Sequence, residues 1–75
     1  MTIKPDFSGI IKSNPSGFIT RENIYKNTGG LISSRYLANL DSKGEGIKGR
    51  FKIGRKVVYP VHAVVEFLEQ RAIMA

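Results

Sequence analysis

Lys43, Lys48, Arg50, Lys52, Arg55 and Lys56 place half of the chain's twelve basic residues within fourteen positions, with Glu45 the only acidic interruption. Ammonium and guanidinium groups at that density do one kind of chemistry well: they neutralise a row of anionic oxygens without reacting with them. Groups suited to covalent or proton-transfer chemistry are few. His62 is the sole histidine and cysteine is absent, which excludes a disulfide framework and a Cys-based zinc site. Ser33, Ser34 and Asp41 are the only tempting triad partners, yet no glycine-rich strand-to-helix turn presents a nucleophile. Glu66 and Glu69 stand three apart on the polar side of a helical repeat, the pattern of a solvated charged face. Gly44, Gly46 and Gly49 lack the Gly-Lys-Ser/Thr that completes a phosphate loop. One histidine and scattered carboxylates make no transition-metal site. No catalytic residue, metal or cofactor is expected.

The element that must carry the cations is legible at Arg50–Tyr59. Phe51, Ile53, Val57 and Tyr59 anchor two short alternating runs that meet at Gly54-Arg55. Glycine first in a two-residue loop predicts a type II′ hairpin turn, whose twist suits the flanking strands. The alternation sends Phe51 and Ile53 to one face and Arg50 and Lys52 to the other, with Arg55 and Lys56 at the tip. The expectation is a hairpin that hides its apolar side and lifts four cations into solvent. A solvated basic face is the plainer account of such charge, but the hairpin beneath it argues for a polyanionic partner.

A net charge of +6 on 75 residues points the same way, to nucleic acid or an anionic membrane. No apolar run approaches the roughly 20 residues of a membrane span, and no signal-peptide pattern opens the chain. A soluble protein of the cytosol, held at the nucleoid when bound, is expected. The length suits one domain with a small core.

Residues 1–17 carry Pro5, Pro15 and several Ser, Gly and Asn residues, which predicts a flexible N-terminal arm. Phe7, Ile10 and Ile11 can form a short extended patch in it, and Lys4 and Lys12 can add contacts to a polyanion. The folded domain is expected over residues 18–75. Thr20 has the chemistry of a helix N-cap, and Ile19 and Ile24 the spacing of a hydrophobic staple around it. That helix should stop near Asn27 or Thr28, because Gly29-Gly30 follows. Ser33-Ser34 then cap a second helix running to Lys43, with Tyr36, Leu37 and Leu40 as a narrow apolar stripe. Two short helices joined by a glycine-containing turn form the pattern of a helix-turn-helix. After the hairpin, Pro60 can open a last helix. Val61, Val64, Val65, Leu68 and Ala72 line its apolar side, with Phe67 on the flank. The fold class expected is α+β, a winged helix-turn-helix ordered helix, helix, hairpin, helix.

Three stretches carry a resemblance over residues 18–72: Ile19-Thr20-Arg21-Glu22, Ser33-Ser34-Arg35-Tyr36-Leu37, and Lys52-Ile53-Gly54-Arg55-Lys56-Val57-Val58-Tyr59-Pro60. Together with Val64-Val65-Glu66-Phe67-Leu68-Glu69, the sequence resembles the small winged-helix proteins of the MerR-like excisionase and prophage-regulator group. It departs from them at Glu45-Gly46-Ile47-Lys48, where a proline is common, and at His62-Ala63, where an acidic residue is common. The resemblance implies a double-stranded DNA-binding protein of a mobile element. Excisionases bend DNA and steer a recombinase, here one of the tyrosine type, toward excision; small transcription regulators share the fold. An RNA-binding module would also be basic, but a scarcity of exposed aromatic residues for base stacking disfavours it. A protein-interaction module could use the same fold, with Glu66, Glu69 and Gln70 as its contact face.

On this reading the second helix enters the major groove. Arg35 can present two donors to guanine and Asn39 can pair with adenine, and the two share a helix face. Ser33, Ser34, Tyr36 and Lys43 complete that set, Ser34 facing a phosphate or base and Tyr36 serving as core or backbone contact. Arg35 could instead make a phosphate contact or an ion pair with Asp41 or Glu45. The wing set is Lys48, Arg50, Lys52, Arg55 and Lys56, with Arg55 suited to minor-groove insertion. A chain this small covers few base pairs, so self-association on DNA is expected.

Overall fold

The computed structural model describes residues 6–72, a small mixed α+β domain. Its elements are α1 (Ser8–Ser13), β1 (Phe18–Thr20), a 3₁₀ turn (Arg21–Asn23) continuing into α2 (Ile24–Asn27), α3 (Ser34–Ser42), β2 (Phe51–Ile53), β3 (Lys56–Pro60) and α4 (Val61–Arg71). The strands form one antiparallel sheet in the order β1-β3-β2.

The hairpin has the expected register, with Ile53 opposite Lys56 and Phe51 opposite Val58 across a two-residue turn. Gly54 takes φ +62° and among the described residues no non-glycine, Arg55 included, has positive φ, so the turn has the sign pattern of type II′. Added to it is β1, which the sequence pattern does not announce. It pairs Ile19 with Tyr59 and Thr20 with Val58, making β3 the central strand. Ile19, Val57 and Tyr59 share the face turned to the helices, and the core there joins Ile19, Ile24, Ile32, Leu37, Ile47, Tyr59, Val61, Val64 and Phe67. Each fully buried aliphatic side chain contributes about 1.5–3 kcal/mol, so this one cluster holds most of what opposes chain entropy.

Several local expectations need correction. Thr20 ends β1 and makes no capping bond; its Oγ1 is buried without a partner among the described residues, and a 3₁₀ turn begins the helix after it. Residues expected as an arm include α1, whose Ile10 and Ile11 pack against the core as helix residues rather than as an extended patch. Asp6 starts it by accepting the Ser8 N–H at 2.9 Å, and that bond lowers the Asp6 carboxyl below its ordinary pKa. The side-chain amide of Asn14 closes it by donating to Ile10 O at 2.8 Å. Gly17 O then accepts Val61 N–H at 2.8 Å, tying this segment to the start of α4. Lys4 lies outside the described residues. Phe67, assigned to the flank of the last helix, is buried in the core.

The pair α2–α3 is held at its glycine-containing connection by Thr28. Its buried hydroxyl donates to Ile24 O at 2.6 Å and accepts the Ile32 N–H at 3.3 Å, joining the two sides of Gly29-Gly30. Ser33 caps α3 as its chemistry requires, Oγ accepting the Tyr36 N–H at 3.1 Å.

Candidate nucleic-acid interface

Helical geometry and the burial of Leu37 and Asp41 fix which side of α3 faces out. Arg35, Asn39 and Ser42 are exposed on the opposite side, and among the described residues Arg35 forms no ion pair. The first turn of α3 lies beside the hairpin. Ser34, Arg55, Lys56 and Val57 line one depression of about 320 Å³ with Thr20, Arg21 and Glu22. The start of α3 and the hairpin tip, distant in sequence, therefore share a cationic surface.

The other residues of the expected site disperse. Lys43 is the exposed C-cap of α3, and Lys52 is exposed on the helix-facing side of the edge strand β2. Lys48 lines a different depression, against Glu66, Gln70 and Arg71 of α4. Tyr36 lines a groove with Phe7, Leu31 and Leu68 on the flank of α3 and is half-exposed rather than core. Ser33 is committed to its cap.

Two of the four hairpin cations are not free in solvent. Arg50 turns back onto the end of α3, donating to Asp41 O at 3.3 Å and standing 3.8 Å from the Asp41 carboxylate. Lys56 Nζ pairs with Glu22 Oε1 at 2.6 Å. Nor does the hairpin hide its apolar side. Phe51 is 39% and Ile53 65% exposed, because β2 is an edge strand and the two lie on the face opposite the core cluster. Phe51 meets Phe18 edge-on there, ring centroids 5.6 Å apart. With Phe18, Tyr25, Tyr36 and Phe51 all substantially exposed, aromatic side chains are not scarce at the surface.

What positions the surface is a buried polar cluster whose members lie far apart in the sequence. Arg21 donates from Nε to the Tyr59 hydroxyl at 2.9 Å and from Nη2 to Asp41 Oδ2 at 2.6 Å, while the Tyr59 hydroxyl donates to that same Oδ2 at 2.6 Å. Asp41 therefore pairs with Arg21 and Arg50, not with Arg35. Burial first, and the bond to Asp41 second, push the Tyr59 phenol up to about 12. Arg21 is raised above its ordinary value, chiefly through its bond to Tyr59. One signal could have found the cluster: Asp41 follows Leu37 by four residues and shares its buried face, where a carboxylate requires a donor.

Among the described residues, no group of three or more His, Cys, Asp or Glu is placed to hold a metal ion, and no helix is long and apolar enough to cross a membrane. The chain matches no family model, no curated protein and no solved structure.

Proposed function

We propose that this chain is a winged helix-turn-helix protein that binds double-stranded DNA and acts for a mobile element as an excisionase, bending its site so that a tyrosine-type recombinase favours excision. The observation that carries the reading is the single depression lined by Ser34 of α3 and by Arg55 and Lys56 of the hairpin tip. A helix laid in the major groove brings its N-terminal turn near the backbone, and a wing beside that turn meets the adjacent phosphates or minor groove. The outward pair Arg35 and Asn39 is four residues apart on α3 and chemically suited to base edges. The Thr28-braced connection before α3 supports a helix-turn-helix, and the net charge of +6 supports a polyanionic partner. Neither Arg50 nor Lys56 enters as a free cation, so fewer phosphates are contacted than a charge count implies.

Titrating the protein against a duplex, a single-stranded RNA of matched length and an uncharged control at low ionic strength tests the class. Tight binding confined to duplex supports it, and preference for RNA or absence of binding removes it. A small transcription regulator would use the same surface. Circular permutation gel shift separates the two, since a position-dependent mobility marks the bend that an architectural role needs.

A further inference from the structure

We propose that Arg21, outside both the expected reader helix and the wing, is a phosphate-binding residue, taking a backbone phosphodiester of duplex DNA in the depression between α3 and the hairpin tip; this rests on the DNA-binding reading above. Arg21 lines that depression with Thr20, Glu22, Ser34, Arg55 and Lys56, and its side chain is 30% exposed. A guanidinium has five N–H donors. Two are committed inward, one to the Tyr59 hydroxyl and one to Asp41 Oδ2, and the others have no acceptor among the described residues. The inward bonds hold the guanidinium plane from behind. Donors fixed in this way lose little conformational freedom when an anion docks, and a planar fork matches the two non-bridging oxygens of a phosphodiester.

The charges around the site agree with a monoanion. Arg21, Arg55 and Lys56 face the depression with Glu22, and Asp41 sits behind it at 5% side-chain exposure. Those three cations exceed the two carboxylates by one positive charge. Arg50, which lies outside the depression, adds to the excess by sharing the Asp41 carboxylate. The Ser34 hydroxyl, exposed on the first turn of α3, supplies a neutral donor at the same wall. Thr20 lines it too, although its Oγ1 is itself buried and offers the anion no donor.

The test is ¹⁵N NMR of the full chain, following the Arg21 Nε–H and Nη–H signals during titration with a short duplex and, separately, with inorganic phosphate. Expected are shifts and slowed exchange of the Arg21 Nη protons on duplex, with far weaker saturation by inorganic phosphate. Arg21→Lys, which keeps the charge but loses the fork, should weaken duplex binding about tenfold on every sequence. Ser34→Ala, on an exposed side chain whose loss leaves the fold intact, should weaken it about threefold. Duplex binding that leaves the Arg21 Nη signals unmoved overturns the inference and spares the DNA reading. Equal saturation by inorganic phosphate overturns the backbone assignment in favour of a free-anion site. No binding to duplex at low salt sinks both.

Discussion

The Tyr59 hydroxyl of the central strand donates to Asp41 Oδ2 at the end of α3, at 2.6 Å, beside a core cluster that is otherwise apolar. The bond, with Arg21 bridging both groups, fixes α3 against the sheet and so sets the distance between α3 and the hairpin. Tyr59→Phe keeps the ring packing and removes the donor. It should cost about 1.5–3 kcal/mol, the range for a hydrogen bond to a charged group. Asp41→Ala strips Arg21 and Tyr59 of their shared acceptor; because Arg21 is partly exposed and can rehydrate, the loss should fall near the lower end of the buried-pair range, about 3 kcal/mol. Urea unfolding of the two variants checks the order; equal stability of Asp41→Ala and the parent would show that the cluster is not what holds α3.

The same phenol makes stability depend on pH at the alkaline end. With its folded-state value raised from 10.0 to about 12, the neutral form is favoured in the folded protein. The contribution is complete below pH 10, falls as unfolded chains ionise above it, and is gone once the pH passes about 12. The decline should be on the order of 2–3 kcal/mol across that window, at roughly 1.4 kcal/mol per unit. Urea midpoints measured from about pH 9 to 11.5, with tyrosine ionisation followed by ultraviolet absorbance, should reveal it. In Tyr59→Phe the component of the decline that tracks this ionisation should vanish.

Gly46 is required by packing rather than by backbone conformation. It is not among the positive-φ glycines, yet a Cβ there would overlap the Asp41 carboxylate. Gly46→Ala should destabilise by about 1–3 kcal/mol, the cost of forcing atoms into a filled site. Gly9 is the contrast, a helical glycine in α1 with open space around it. Gly9→Ala should stabilise by about 0.5–1 kcal/mol. Thermal melts of both variants decide it, and a neutral Gly46→Ala would mean that Asp41 moves freely.

What was readable in the chain was whatever local chemistry decides. Ser33 caps the helix that follows it, and Gly54 turns the hairpin, because each feature is settled within a few residues. Strand β1 was hidden because three residues carry no measurable alternation, and it exists only where β3 offers an edge. That pairing also converts Thr20 from a cap into a strand end. The exposure of Phe51 and Ile53 was equally out of reach, since alternation says that two faces differ but not whether a helix covers the apolar one. The Arg21–Asp41–Tyr59 cluster joins residues 18 to 38 apart in sequence, a range to which periodicity is blind. For the candidate site, the hairpin cations were legible as residues but not as free charges, because Arg50 and Lys56 find carboxylate partners from other elements.

Arg35 and Arg55 should divide the work of binding. Arg35 is exposed on the outward side of α3, while Arg55 sits at the hairpin tip. Arg55→Ala should weaken binding to every duplex alike. Arg35→Ala should relax discrimination at one base pair by about 1–3 kcal/mol and leave binding to random duplex nearly unchanged. Parallel titrations on a selected site and on random duplex distinguish these outcomes. Equal losses on both duplexes for both variants would show that Arg35 reads no base.

Among the described residues Glu22 is the one carboxylate on the rim of the cationic depression, and it holds Lys56 at 2.6 Å with both side chains more than half exposed. An exposed pair of this kind contributes only about 0.2–1 kcal/mol, so Glu22→Gln should leave the melting curve nearly unchanged. Its effect on binding should be larger. On the DNA-binding proposal, Glu22 withholds Lys56 from a phosphate in the parent and itself repels the backbone. With Gln in its place, Lys56 meets the backbone as a free cation. Affinity should rise at low salt, and the plot of log affinity against log salt should steepen by up to about 0.9, the contribution of one more neutralised phosphate. If about five phosphates are neutralised in all, the full slope should be roughly −4.5. A variant with unchanged affinity and slope would place Lys56 off the backbone and confine the wing's contact to Arg55 and its β2 neighbours.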